Sequence, residues 1–257
     1  MFHVTPSAET GLGQDERVHT VDHLESLCAQ AWPALAEVRL GDWSMRAADG
    51  FTGRANSTLT CGDPGMPIPD ALAATVGFAR EHGIKPTAHV VNASSSERAI
   101  RDAGWTVDLD HPGGAESLVM TGPLEKFADG VAESRDLPGW WDMTAGSEVT
   151  AAQRHVLGSS ENVCFASLIE DGTVIAAVRG AVVEDILHVA RLAVRPSHRR
   201  KGLARQLMGE LAGWGVQQGA TTCALQVAEH NEAAIRLYEE LGCTEHHRYR
   251  YWVPAVS

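Results

Sequence analysis

The sequence predicts an α+β fold (mixed α/β) in two successive domains, residues 1–125 and 126–257, each a central, mostly antiparallel twisted sheet flanked by helices. Three observations predict it. The chain has 257 residues, long for one compact domain and comfortable for two of about 120 each. Its second half reads as antiparallel strands followed by a β-α-β-α-β run. Its first half repeats part of that order at nearly the same spacing.

In the second half, residues 163–169 look like a strand, and Asp171-Gly172 like a hairpin turn. Strands follow at about 173–183 and 186–195, joined by a tight turn at Glu184-Asp185. Gly202 opens a helix whose apolar positions Leu203, Leu207, Met208, Leu211 and Trp214 recur every three or four residues, with Gly219 at its stop. A strand at 221–228 leads to a helix at about 232–241, with Asn231 as N-cap and Gly242 as stop. The tail from Thr244 to Trp252 alternates like one or two edge strands. In the first half, a helix at about 70–82 ends at Gly83, a strand covers 87–91, and a short helix ends at Gly104. Gly83 to Gly104 spans 21 residues and Gly219 to Gly242 spans 23, which suggests an internal duplication. The Gly-, Pro- and acid-rich stretch from about 122 to 145 reads as a linker carrying the first strand of the second domain.

Composition narrows the partners. With 21 Lys plus Arg against 33 Asp plus Glu, the net charge of −12 disfavours nucleic acid and anionic membranes, both polyanionic. The five cysteines are scattered without a C-x-x-C pair, as expected of reduced thiols in a cytoplasmic protein. No apolar run approaches a membrane span, and residues 1–17 lack a basic-then-apolar leader. His246-His247 are placed by strand alternation on opposite faces without a third ligand, so no metal is expected. Trp32, Trp43, Trp105, Trp140 and Trp141 are read as core or domain interface.

Against that acidic background, residues 195–205 hold five Lys/Arg and no acid, leaving −17 on the other 246 residues. Such a knot between a strand and a helix start suits an anion. The first helical N–H groups lack internal partners, the helix dipole adds positive potential, and Gly202 admits close approach to the backbone. A solvated loop of clustered charge is the alternative. Further on, Asn231 and Tyr238 lie two helical turns apart and so share a face, although a cap and a core residue would also fill those positions.

Taken as a set, the strand Leu192-Ala193-Val194, the loop Arg200-Lys201-Gly202-Leu203-Ala204-Arg205 preceded by Arg199, and the Asn231/Tyr238 helix resemble the GCN5-related N-acetyltransferases over about residues 145–252. The stretch Gly50–Ser57 and the ending His246–Tyr249 are similar to an actinobacterial group with paired domains of this type. The resemblance implies acetyl-CoA as cofactor. It implies that 192–194 pair with the pantetheine arm, that 199–205 wrap the pyrophosphate, and that Asn231 and Tyr238 lie near the pantetheine and sulfur. In the first half, the positions aligned with 199–204 read Asp63-Pro64-Gly65-Met66-Pro67-Ile68, with Ala93 and Ile100 opposite Asn231 and Tyr238. An acid and two prolines suit no phosphate, so a single cofactor site is expected, in the second domain, beside a degenerate first copy.

The expected reaction moves the acetyl group to a primary amine, on a small molecule or a protein, by direct attack through a tetrahedral intermediate. A backbone N–H of 192–194 serves as oxyanion donor, provided the strand splays from its neighbour. Tyr238 is the expected acid toward the thiolate. For the base, some relatives carry a Glu where this chain has Gln226, which takes no proton; His188 stands first, then Glu229, then solvent. Arg54 and Asn56 are placed toward the acceptor cleft on chemistry alone, and the alternating C-terminal strand suggests a possible homodimer. A non-catalytic acyl-CoA sensor is the competing reading from another class.

Overall fold

The structure is a computed structural model and describes residues 19–255; the polar start at 1–17 lies outside them. Eleven strands form one continuous sheet: β1 (Ala36–Leu40), β2 (Trp43–Ala47), β3 (Thr58–Leu59), β4 (Ala88–Val91), β5 (Trp105–Val107), β6 (Glu116–Pro123), β7 (Asn162–Glu170), β8 (Thr173–Val183), β9 (Ile186–Val194), β10 (Thr222–Ala228) and β11 (Thr244–Pro254). Their order is β1-β2-β3-β4-β11-β6-β10-β9-β8-β7, with β5 also pairing β11. The expectation of two separate sheets is therefore corrected. The last strand of the chain pairs on one side with β4 and β5 and on the other with β6, which itself pairs β10.

That placement also corrects the reading of the tail as an edge. β11 is central and buries Tyr249, Tyr251 and Trp252, so it offers no free edge to a second subunit. A bulge between Glu245 and His247 brings both adjacent histidines together, Nδ1 to Nδ1 at 2.8 Å, where plain alternation would separate them. Of strand structure, the 122–145 stretch holds only the end of β6, which begins at Glu116; its far end is the helix Pro138–Ala145. The chain then crosses the helix α6 (Leu203–Gln217), where Gly209 and Gly213 admit its backbone; a Cβ on Gly213 would lie 1.8 Å from the Gly130 carbonyl oxygen.

The remaining helices are α1 (Val21–Gln30), α2 (Ile68–Glu81), α3 (Ser95–Asp102), α4 (Pro138–Ala145), α5 (Ala151–Gly158) and α7 (Glu232–Glu240). One face of the sheet carries α6 and α7 over Leu118, Leu225 and Val227, and continues to α2 and α3 over Ala88, Val90 and Trp252. The other carries α1 over Val119, Ala224, Tyr249 and Tyr251, with α4 and α5 packed around Trp140 and Trp141. All five tryptophans named above are buried. Turn chemistry is local and matches the sequence: Asp171 and Gly172 both take positive φ, as a two-residue hairpin of right-handed twist demands. Among the described residues no helix is long and apolar enough to cross a membrane.

Candidate active site

Two strands part company in the middle of the sheet. β9 and β10 run parallel from Ile186/Thr222 to Val189/Leu225, and there the pairing stops. Residues 190–194 continue along β8 alone, so one edge of β9 carries backbone groups without a strand partner. The cause sits in β9 itself. Arg191 and Leu192 together oppose the single residue Val178, and Arg191 adopts φ +61°. This bulge bends the strand away from β10. Leu192, Ala193 and Val194 therefore border an opening whose other side is the end of β10.

Beyond β9 the chain turns through Arg199, Arg200 and Lys201 into α6. Arg200 (φ +65°) and Gly202 (φ +78°) take left-handed conformations around Lys201, an alternation that curves backbone N–H groups into a concave nest. Nothing lies within 4 Å of the position a Gly202 Cβ would occupy. Leu203, Ala204 and Arg205 begin α6, and their amides have no partner inside the helix. Arg199, Arg200 and Lys201 are exposed and meet no carboxylate among the described residues, while Arg205 pairs with Glu240 at 2.6 Å. In the first half the comparable stretch is closed on itself. Asp42 accepts from the Asp63 amide, Asp63 accepts from the Gly65 amide, and α2 starts behind Pro67.

On α7, Asn231 is exposed, and its side chain caps the helix by accepting from the Ala234 amide at 3.3 Å. Tyr238 is buried in the core beside Cys223 and Cys243; burial first, then those two thiols, push its pKa up, so it keeps its proton at neutral pH. Glu229 is exposed just past β10. His188 is fully buried, its ring edge-on to Trp32, and its Nε2 lies 3.2 Å from Oε1 of Gln226. Burial, and after it the positive Arg54 and Arg179, push His188 down to about 3. Its imidazole is neutral; Nε2 lies between Gln226 Oε1, an acceptor, and Arg54 Nη1, a donor at 3.4 Å, and Nδ1 is buried without a partner.

A cavity of about 640 Å³ opens on the α1 side of the sheet. Its floor includes Gln226, Ala228, Ser117 and Tyr249; Arg54 and His111 come from first-half loops. Arg54 donates from Nη1 to Gln226 Oε1, and its guanidinium carbon stands 4.4 Å from the Trp32 ring centre. Asn56 also borders this space, but its amide is spent on the loop: it accepts from Ala48 and Gly50 and donates to Phe51 and Thr52. The 53–55 turn reaches Tyr251 only because residue 53 is glycine; a Cβ there would lie 2.7 Å from the tyrosine ring. Comparison with known proteins rests on this framework. The family model described as "Probable histone acetyltransferase Rv0428c C-terminal" matches residues 19–252.

The chain belongs to this family.

It is a GCN5-related, acetyl-CoA-dependent N-acetyltransferase. It is similar to the uncharacterized N-acetyltransferase YobR of Bacillus subtilis, 26% identical over 242 residues, covering 87% of this chain and 96% of the relative. It is also similar to the [ribosomal protein bS18]-alanine N-acetyltransferase of Escherichia coli strain K12, 29% identical over 127 residues, 49% of this chain and 86% of that one. Among solved structures, the GCN5-related N-acetyltransferase from Kribbella flavida shares the fold at a TM-score of 0.68 and 15% identity, covering 92% of this chain and 96% of that chain.

The acetyltransferase places Trp32, Arg54, Arg179 and Arg191 together beside the strand opening, a grouping that sequence reasoning missed apart from Arg54. Arg179 is fully buried and donates to the carbonyls of Leu157 and Ala31 and to Ser160. The one sequence signal was arginine within strands that otherwise read as apolar, at 179 and 191.

Proposed function

We propose that the chain transfers the acetyl group of acetyl-CoA to the primary amine of an acceptor that enters through the 640 Å³ cavity. One observation carries the reading: β9 and β10 part after Val189 and Leu225, so the edge of 192–194 that leads into the exposed basic nest at 199–205 faces the end of β10, where Gln226 borders the cavity. The donor set suits the cofactor. Arg199, Arg200, Lys201 and the amides of Gly202, Leu203, Ala204 and Arg205 would hold its diphosphate, the free edge of 192–194 its amide-bearing arm, and Asn231 and Tyr238 would border the arm's end.

When bound, acetyl-CoA supplies a thioester-activated acetyl group and a thiolate leaving group. The chain's part is binding, charge stabilisation and proton traffic. A backbone N–H on the unpaired edge of β9 would serve as donor to the oxygen on which charge develops. Tyr238, protonated at neutral pH, would supply a proton to the leaving thiolate. For the amine proton, His188 at about 3 is a weak acceptor, and Glu229 is exposed and outside the cavity lining. We therefore assign the proton to water in the cavity, with His188 orienting Gln226. The free, buried thiols of all five cysteines support a reducing compartment such as the cytoplasm.

Free-thiol release from acetyl-CoA across a library of primary amines, together with calorimetric titration of CoA, tests the reading. Binding of CoA and amine-dependent thiol release support it; failure of CoA to bind overturns it, and binding with no turnover on any amine returns the sensor reading.

A further inference from the structure

Three arginines surround Trp32 without an acid to balance them. The guanidinium carbons of Arg54, Arg179 and Arg191 stand 4.4, 5.1 and 6.0 Å from its ring centre. Among the described residues no carboxylate oxygen approaches any of the three within 4 Å, although Arg46, close by, has Glu37 at 3.8 Å. Arg179 Nη1 and Arg191 Nε are buried without hydrogen-bond partners. In a chain of net charge −12, positive charge grouped without acids, with Arg179 fully buried and Arg54 and Arg191 half-buried, calls for a counter-charge from elsewhere.

Of the three, Arg54 lines the cavity. Nη1 is engaged by Gln226, with His188 Nε2 at 3.4 Å; Nε and Nη2 have no partner among the described residues. Gln226 is an amide, so it orients the guanidinium without neutralising it. Of the two acids lining the cavity, Asp108 is held by Lys85 at 2.8 Å, and Asp49 lies within 4 Å of no cation. The inner end of the cavity, next to the parting of β9 and β10, is thus a cation with spare, forked donors.

We propose that the acceptor carries an anionic group, carboxylate or phosphonate-like, within two or three bonds of the amine that is acetylated, and that Arg54 holds this group. The acceptor is then a small amino acid or its phosphorus analogue, of a size that a 640 Å³ cavity takes, and a lysine side chain within a protein lacks the required charge. Arg179 and Arg191 stand behind Arg54 and raise the local positive potential. The same field disfavours an ammonium ion at this spot, which eases loss of the amine proton where residue 226 is not a carboxylate.

The inference rests on the acetyltransferase reading, and the experiment separates the two. Free-thiol release is measured with the full chain on a panel of α-amino acids, each beside its α-carboxamide and its 1-aminoalkylphosphonate, at equal concentrations of neutral amine. An anionic acceptor should exceed its carboxamide in kcat/KM by about 10- to 150-fold. Preference for carboxylate identifies an amino acid; preference for phosphonate identifies the phosphorus class. In Arg54→Gln and in Gln226→Glu, which places an acid against the guanidinium, the ratio should collapse toward parity. Because the ratio is taken within each variant, it does not depend on how much of that variant folds. Thermal stabilisation by the N-acetylated product, without acetyl-CoA, should disappear in the same variants. Equal use of acid and amide by the native chain, or a ratio unmoved by both substitutions, overturns the inference while leaving the acetyltransferase intact. Absence of CoA binding overturns both.

Discussion

Arg54, in the turn before β3, donates to the side-chain oxygen of Gln226, 172 residues later near the end of β10. This contact joins the loop that walls the cavity to the strand where the sheet opens, and it makes one site from two halves of the chain. A division at 125/126 would cut through it.

Expressed alone, residues 126–257 should therefore fail to fold cooperatively. That fragment lacks β6, the strand lying between β10 and β11. Two neighbours would lose their ladders, leaving rows of unpaired N–H and C=O groups. Size-exclusion chromatography and thermal melting of the fragment check this: aggregation or no transition is expected, against one transition for the full chain.

At the basic nest, Gly202→Val places a side chain where the backbone holds φ +78° and where the cofactor diphosphate is assigned. The left-handed conformation costs about 1–2 kcal/mol in a non-glycine residue, so the variant remains folded. Its affinity for CoA in calorimetry should fall at least about tenfold, the equivalent of one charge-assisted hydrogen bond. The double variant Arg200→Glu, Lys201→Glu should weaken binding further and reduce its dependence on salt.

Tyr238→Phe removes the expected proton donor and little else from the core. Activity should fall by about 10²- to 10⁴-fold in kcat, the range for a general acid, with KM for acetyl-CoA nearly unchanged. A thermal melt close to that of the native chain confirms that packing around Cys223, Leu241 and Cys243 survives.

Acid should destabilise the protein through His188. Its folded pKa of about 3 lies below the ordinary 6.5, because burial, and then Arg54 and Arg179, oppose its charging. The unfolded chain takes up a proton below 6.5 and the folded chain does not, so this contribution is full above about pH 6.5 and is lost progressively toward 3. Glu25, held as a carboxylate in the folded chain by His89 and His247, loses its own contribution only at lower pH, below its ordinary 4.5. Urea unfolding at about pH 7 and about pH 5 should show a drop that is smaller in His188→Gln.

Arg179→Met should lower stability although it removes an unbalanced charge. The guanidinium donates to the carbonyls of Leu157 and Ala31, which end α5 and α1; methionine would leave the Leu157 carbonyl without that donor, while Ala31 keeps the Ser160 hydroxyl. A loss of about 1–3 kcal/mol, the cost of that one unsatisfied carbonyl, is expected in chemical denaturation.

Elements whose cause is local were legible in the sequence. The Asp171-Gly172 hairpin, the helix after Gly202, the Asn231 cap and the stops at Gly219 and Gly242 depend on turn chemistry and on 3.6-residue periodicity, both carried by neighbouring residues. So did the basic nest, because five cations within eleven residues of an acidic chain need no tertiary contact to be seen. Short β1, β2, β3 and β5, at two to five residues each, gave too little alternation to register. Strand partnership was beyond reach for a different reason. Backbone hydrogen bonds carry no residue identity, so an alternating tail such as Thr244–Trp252 reads the same at an edge as between β4 and β6.

By itself, then, the amino-acid order determined the local elements, the basic turn before α6 and, through the family resemblance that its motifs carry, the class of chemistry. Only the folded chain decided that there is one sheet, where that sheet opens, and which charges meet beside the opening. Trp32, Arg54, Arg179, Arg191 and Gln226 come from five separate stretches. Their proximity is produced by burial and strand order acting over the whole chain, and a net electric field at one point depends on distances that no linear pattern encodes.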